Sequence, residues 1–325
     1  MPGDAARTGY HPRPPVRPVV PVGSFLAHIA RRRSHSRADQ AAQRELASDA
    51  LAGALPRGLE LTWLGTAGFR LRYQGQTLLI DPYLTRLPLR RFLSRRVARP
   101  DTDAIARHID GADAVLVGHS HFDHVLDVPF VARATGARVY GSRSTAHLMG
   151  LSGLAHQAVE VEPYRVYDIG PFQVTFVPSA HARLLLGVAV PMSGDITCDH
   201  VDDLNARAYG CGQVYGIHVR AGGVGFYHLG SAELEDEAVI HRGVDVLLAA
   251  IAGRGFSPRF LPRVLRRLEP AWLVPHHHDD FFRPLDQPMQ LSFNVDLAGC
   301  ADELRRLSRD LQVATLMPLE PLRGA

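Results

Sequence analysis

"AVLVGHSHFDHV", Ala114 to Val125, decides how this 325-residue chain is read. A continuous apolar run of strand length breaks at Gly118 and delivers His119, His121, Asp123 and His124 within six residues. On extended backbone, residues two apart point the same way, so His119 and His121 converge on one point. Asp123 and His124, beyond the turn, face a neighbouring one. Neutral imidazole and carboxylate are ligands that Zn²⁺ and iron favour, so the spacing makes two adjacent metal sites rather than one. Ordinary polar loop residues are the plainer explanation. That explanation suits a lone histidine, and it suits three histidines with an aspartate poorly.

Composition narrows the alternatives. The chain is 46% hydrophobic and 21% charged, which is ordinary for a soluble globular protein with a substantial core. A formal charge of +3 and a pI near 8.9 are mildly basic. No block of like charge is interleaved with stacking aromatics, so no nucleic-acid partner is expected. All 36 basic residues are arginine, which excludes Schiff-base and lysine-nucleophile chemistry. Cys198, Cys211 and Cys300 have no CxxC spacing and imply neither a disulfide framework nor a zinc ribbon. They read as small buried residues in a reducing compartment, and the cytoplasm is the expected location. No apolar run approaches the roughly 20 residues of a membrane span. "RRRSHSR", Arg31 to Arg37, is followed by polar sequence and not by an apolar export core. There is no GxSxG elbow, no P-loop and no GxGxxG opening a helix after a strand.

Along the chain, residues 1–22 are rich in proline and arginine and form an arm that cannot order itself alone. Residues 23–56 make a helical extension, with a helical pattern from Ser24 to about Leu55. Three short β-rich runs, Leu59 to Leu64, Gly68 to Tyr73 and Thr77 to Ile80, are separated by Gly-containing turns and predict an antiparallel meander. "DVPFVARATG" predicts a helix closing on Gly136, and "ARVYGS" a short strand before another helix. Further strands are expected at Arg165 to Ile169 and Phe172 to Val177, with a hairpin from "QVYGIHV" and "GVGFYHLG". "VDVLLAAIA" and "AWLVP" follow as strands, "SPRFLPRVLRRLEP" as a helix entered at Ser257, and "DLAGCADELRRLSRD" as a late amphipathic helix. Strands in both halves with helices after each suggest two sheets covered by helices. "VTFVPSAH" ends one strand at His181, and "AWLVPHHHDDFF" ends another at His276 to His278, so these histidines belong at the same sheet edge as His119.

With these residues in place, the chain resembles the metallo-β-lactamase fold superfamily, whose HxHxDH motif stands here as His119 to His124. "LTWLGTAGFRLRYQGQTLLIDPYL" is similar to that superfamily's first strands, ending at Asp81. The resemblance runs from about Leu59 to Leu316 and implies an α/β fold: a four-layer αββα sandwich of two mixed β-sheets flanked by helices. Residues 57–325 are then the catalytic domain. It implies one metal held by His119, His121 and His181, and a second held by Asp123, His124 and His277. His277 is preferred to its neighbours because Pro275, His277 and Phe281 match the last-ligand frame of lactonase-like and phospholipase-D-like members. His276 and His278 would point to the other face of the strand. Asp81 matches a buried aspartate that accepts a proton from a ligating imidazole and fixes its tautomer. One departure stands out. Where the family places a metal-bridging aspartate after glycine, this chain has Gly230-Ser231; Glu233 and Asp195 are the carboxylates on offer as substitutes.

The resemblance implies a metal-dependent hydrolase in which a metal-activated water attacks a phosphodiester, lactone or ester, with Asp123 orienting the nucleophile as well as binding metal. The start of the domain and "PHHHDDFF" are more similar to sugar-phosphate lactonases and N-acyl-phosphatidylethanolamine-type phospholipases D than to antibiotic-destroying enzymes. One or two Zn²⁺ ions are the expected cofactor, with Mn²⁺ or Fe as alternatives, and a small-molecule or lipid-like compound the expected substrate. An iron-dependent oxidative or other non-hydrolytic enzyme on the same scaffold is the second functional class. Arg183 and Arg283 are candidates to pair with a substrate anion. The apolar "LLLGVAVPM" after His181 is a candidate lip for a greasy substrate. His218 and His228 read as packed or hydrogen-bonded histidines. Covering the pocket, homo-oligomer formation and contact with a membrane surface are the roles open to residues 1–56.

Overall fold

The structure, a computed structural model, describes residues 32–184, 188–292 and 295–325. The proline-rich arm, the start of the helical extension and part of the apolar lip lie outside the described residues. Among the described residues, fourteen strands form two sheets. The first is built from Glu60–Gly65 (β1), Gly68–Tyr73 (β2), Gln76–Ile80 (β3), Ala114–Leu116 (β4), Arg138–Gly141 (β5) and Ala158–Glu160 (β6). The second contains Val166–Ile169 (β7), Phe172–Pro178 (β8), Tyr215–Ala221 (β9), Val224–Leu229 (β10), Val246–Ala250 (β11), Trp272–His276 (β12) and Gln312–Val313 (β13). The last strand, Pro321–Arg323 (β14), returns to the edge of the first sheet.

The strand orders are β14-β1-β2-β3-β4-β5-β6 and β7-β8-β9-β10-β11-β12-β13. In each, the first three pairings are antiparallel and the last three parallel. The two sheets thus share one pattern of pairings, except that the edge strand of the first, β14, comes from the end of the chain. The expected meander is β1-β2-β3, and the expected hairpin is β9-β10.

Alternation along the strands assigns each side chain to a layer. Leu78, Ile80, Ala114 and Leu116 face inward and pack with Phe172, Val174, Phe176, Ile217 and Leu248 of the other sheet. Leu79, Val115 and Val117 face the opposite way. They meet helices Thr102–His108 (α3), Phe122–Val125 (α4), Val128–Thr135 (α5) and Arg143–Leu151 (α6), which follow Arg32–Glu45 (α1) and the short Leu89–Phe92 (α2). On the far side, Leu247, Ala249 and Leu273 pack under Phe260–Leu268 (α7) and Leu297–Leu307 (α8). Three apolar layers between four layers of structure give the αββα sandwich.

Local signals set most boundaries. Gly136 closes α5 at φ 76°, a left-handed position that favours glycine. The Ser142, Asp101 and Asp296 side chains accept from Thr145, Ala104 and Gly299 N–H and start α6, α3 and α8. Helix α7 begins at Phe260 and not at Ser257, because Arg259 takes a left-handed conformation at its start. The extension differs more from expectation. Helix α1 ends at Glu45, Ala47 bridges to Thr315, and a 3₁₀ segment, Asp49–Ala54, follows with Leu51 fully buried.

Helix α1 packs against α8, and its Gln43 ties it to the segments that follow β12 and β13. Gln43 Nε2 donates to Leu316 O at 3.1 Å, its Oε1 pairs with His278 Nε2 at 3.0 Å, and its carbonyl accepts from Thr315 Oγ1 at 2.8 Å. Gln43→Ala removes two of these bonds and leaves a buried imidazole nitrogen unpaired. It is expected to cost about 1–3 kcal/mol of stability, measured by chemical denaturation.

Candidate metal centre

Each candidate ligand stands just past the carboxyl end of a strand. After β4, Gly118 N donates to Asp81 Oδ1 at 2.7 Å, a close approach with little room for a Cβ. Ser120, the residue between the first two histidines, is pinned on both sides: its N–H donates to Cys211 O at 2.9 Å and its hydroxyl to Gly210 O at 2.6 Å. Its neighbours His119 and His121 therefore face the other way. His121 is the last extended residue before α4, and that single turn presents Asp123 and His124. His181 arrives from the loop after β8, and His277 follows β12 directly.

These residues form two groups. The ligand atoms of His119, His121 and His181 lie within 4.8 Å of one another, as do those of Asp123, His124 and His277. His119 Nε2 approaches His121 Nδ1 at 3.2 Å, and Asp123 Oδ2 stands 3.3 Å from His277 Nε2 and 3.9 Å from His124 Nε2. The His119 and His124 rings, 3.8 Å apart at their centroids, join one group to the other.

Hydrogen bonds on the outer edges decide which nitrogen faces inward. His121 Nε2 donates to Pro191 O at 2.9 Å and His181 Nδ1 to Ala182 O at 2.7 Å. His124 Nδ1 donates to Asp81 Oδ2 at 2.8 Å. In each ring the remaining nitrogen then carries its lone pair toward the shared centre, as metal ligation requires. Burial and the neighbouring imidazoles hold His119 well below the usual histidine range. Burial lowers His121 to about 4 and His181 to about 3, so both are neutral at pH 7. Burial opposes the charge on His124 as well, but the Asp81 and Asp123 carboxylates override it and raise its pKa. Burial likewise opposes the Asp123 charge, and His124 and His277 overcome it, holding that carboxyl well below its ordinary range. Converging lone pairs without a cation among them repel, so the donor set fits a bound metal.

Two buried carboxylates that the sequence reading did not single out support the centre. Strand β12 ends at His276, and His277 has left-handed backbone at φ 59°. That twist separates its side chain from its neighbours' more sharply than strand alternation would. His277 N–H donates to Thr66 O at 2.9 Å, and Thr66 N–H donates to Asp279 Oδ1 at 2.9 Å. Asp279 in turn meets Arg86 Nη1 at 2.7 Å, an ion pair with both partners under 5% exposed. Asp127 receives the Leu84 and Thr85 N–H groups and the Thr85 hydroxyl, closing the loop after Asp81. Only the doubled aspartate of "HHHDD" hinted at Asp279; nothing local pointed to Arg86.

The other expected residues divide clearly. Ser231 reaches the centre's edge, where its hydroxyl accepts from Ala182 N–H at 3.1 Å, beside His181. Glu233 does not replace it: its carboxylate pairs with Arg263 at 2.7 Å. Asp195 is exposed and is absent from both groups. His276 stacks on His228 at 5.0 Å, and His278 lies against Trp63 at 4.8 Å. His228 donates to Ala67 O at 2.9 Å, and His218 packs on His241, as packed histidines. Arg283 Nε donates to Pro288 O at 2.9 Å, and neither Arg283 nor the half-buried Arg183 is among the residues lining the cavity beside the two groups.

Above the two groups opens a cavity of about 370 Å³, bounded by His121, Asp123, His181, Ser231 and His277 on one side and by apolar side chains on the other. Leu184, Pro191 and Met192, from the predicted lip, contribute to it. Among the described residues no helix is long and apolar enough to cross a membrane.

Two substitutions separate positioning from folding. Asp81→Asn is expected to weaken metal binding about 10- to 100-fold, read by competition with a chromogenic chelator. Asp279→Ala strands the Arg86 guanidinium and is expected to cost about 3–5 kcal/mol in denaturant unfolding.

Residues 60–277 match the family model described as the β-lactamase superfamily domain. A protein of Methylobacterium nodulans named UPF0173 metal-dependent hydrolase is 28% identical over 253 residues, spanning 74% of this chain and 93% of that relative. Among solved structures, the metallo hydrolase Igni18 of Ignicoccus hospitalis superposes with a TM-score of 0.50 at 16% identity, covering 81% of this chain and 97% of its own. CmlA, a diiron β-hydroxylase of Streptomyces venezuelae, superposes with a TM-score of 0.55 at 15% identity, covering 83% of this chain and 55% of its own. At such identities the structural likeness speaks for the fold alone, and the match over residues 60–277 carries the conclusion: this chain belongs to the β-lactamase superfamily.

Proposed function

We propose that this protein is a metal-dependent hydrolase that uses a metal-activated water to cleave an ester, lactone or phosphodiester bond in a small-molecule or lipid-like substrate. The observation that carries this reading is the convergence of two ligand triads, with lone pairs turned inward, on the floor of one cavity. His119, His121 and His181 would hold one ion; Asp123, His124 and His277 would hold a second. Imidazole with carboxylate suits zinc first and manganese or iron after it. When bound, the metal supplies a Lewis acid and brings the pKa of a coordinated water towards 7.

The chain's own residues do the rest. Asp123 is the one carboxylate in the two triads, and it lines the cavity, so it is placed to accept a hydrogen bond from the attacking water and orient it. Asp81 keeps His124 in the tautomer that ligates. Ser231, tied to Ala182 N–H, holds the His181 loop and adds no charge where a carboxylate would. Asp123 is then the one anionic ligand in the two triads, which leaves more of the metals' charge to be balanced by hydroxide or substrate. Cys198, Cys211 and Cys300 are all free thiols, in keeping with a reducing cytoplasm.

Elemental analysis of protein purified without added metal, paired with a screen of ester, lactone and phosphodiester substrates, tests this reading. Zinc or manganese with turnover that a chelator abolishes is the expected result. His121→Ala is expected to lower turnover about 100-fold or more and to reduce the bound metal. Stoichiometric iron with oxygen consumption, and no hydrolysis, would favour the oxidative class instead.

A further inference from the structure

The wall of the cavity identifies the kind of substrate it accepts. Phe92, Phe122, Phe281, Phe282, Leu184 and Met192 surround the approach to the two triads. The aromatic members touch one another: Phe281 and Phe282 at 4.4 Å between centroids, Phe92 and Phe122 at 5.4 Å, Phe92 and Phe282 at 5.7 Å. The last pair joins the α2 side of the opening to the loop after β12.

Charge is the second observation. The chain carries 36 arginines, yet none is among the described residues that line this cavity, where Asp123 is the one carboxylate. Some of the arginines next to wall residues in sequence are engaged elsewhere, and Arg90, Arg91 and Arg183, beside Leu89, Phe92 and Leu184, are not among the lining residues. Arg283 donates to Pro288 O, and Arg254, two residues before Phe256, pairs with Glu303 at 2.7 Å. Arg207 lies over the Phe92 ring at 5.8 Å and is exposed. A phosphodiester keeps its negative charge as it enters, and proteins meet such groups with guanidinium forks or clustered backbone N–H donors. Here such a substrate would bring that charge past apolar walls with no guanidinium in the described lining, leaving the metals alone to receive it.

We propose that the substrate is a neutral carboxylic ester or lactone whose apolar acyl or aryl group fills the aromatic approach, a narrowing that rests on the hydrolase reading above. In the reaction, the water oxygen forms a bond to the carbonyl carbon and the bond from that carbon to the leaving oxygen breaks. One water proton goes to the leaving oxygen, giving an alcohol, and the other is released from the acid, giving a carboxylate. No further reactant is needed.

The test uses the full-length, zinc-loaded protein and separates binding from turnover. Acetohydroxamate and octanohydroxamate share a metal-binding head and differ in apolar length, so calorimetric titration of both reads the wall directly. Octanohydroxamate is expected to bind at least about tenfold more tightly, since each well-buried methylene contributes up to about fourfold. 4-Nitrophenyl octanoate is expected to exceed 4-nitrophenyl acetate in kcat/KM by a similar factor, and both to exceed bis(4-nitrophenyl) phosphate. Phe282→Ala should reduce the octanoyl-to-acetyl ratio at least about threefold in both measurements. Leu89→Arg, at a rim position 49% exposed where folding is not at stake, should reduce it as well. Equal binding of the two hydroxamates, or faster cleavage of the phosphodiester, overturns the proposal. Length-dependent binding with no turnover of any ester upholds the apolar site and refutes the hydrolase reading instead.

Discussion

Burying polar groups is the constraint around which this molecule is arranged. Five of the six candidate ligands are under 10% exposed, and each loses hydration that only a partner can replace. The outer nitrogens of His121, His124 and His181 are satisfied by Pro191 O, Asp81 and Ala182 O, and the inner ones by nothing but each other. Such a cluster is tolerable when a cation sits among the lone pairs. Asp81 connects this chemistry to the fold, because one oxygen holds the Gly118 N–H that starts the ligand loop and the other orients the His124 ring. Removing it would loosen the loop and the ligand at once.

The sandwich makes the convergence possible. In each sheet the parallel strands end on the same side, and the segments that follow β3, β4, β8, β10 and β12 bring Asp81, the His119–His124 run, His181, Ser231 and His277 to one rim. Strand ends are good places for such groups. The strand itself is fixed by its ladder and by apolar packing on both faces, while the loop beyond it is free to take unusual backbone, as His277 does at φ 59°.

What the sequence discloses follows from how local each signal is. The run from His119 to His124 is legible because one strand end and one helical turn generate both half-sites within six residues. The layers are legible because apolar runs of strand length alternate with capped helices. The pairing pattern that the two sheets share is not, since pairing order is a property of the backbone that many side-chain sets satisfy. Arg86 and Asp279 are distant in sequence, and so are Gln43 and His278; neither partner has a local feature that names the other. Choosing His277 over its neighbours needed the family frame, because the surroundings that distinguish the three histidines come from residues distant in sequence. His276 is taken up by His228 and His278 by Trp63 and Gln43, leaving His277 alone to face the centre.

Ser231 and the apolar walls belong to one electrostatic design. A carboxylate at position 231 would neutralise part of the charge of two divalent ions, and the hydroxyl there, already accepting the Ala182 N–H, does not. Asp123 is then the one anionic ligand in the two triads, and with both proposed ions bound, excess positive charge would remain at the floor of a cavity whose walls have a low local dielectric. A neutral ester gains little from that charge in its ground state, but an oxyanion forming at the carbonyl gains a great deal. Stabilisation that arises only as the transition state develops is the kind that accelerates a reaction instead of merely tightening binding. A substrate that arrived already anionic would draw on the same charge before any bond had changed. On the proposed ester chemistry, Ser231 in place of a bridging carboxylate and a lining without arginine among the described residues would reserve the field of the metals for the moment at which new charge appears.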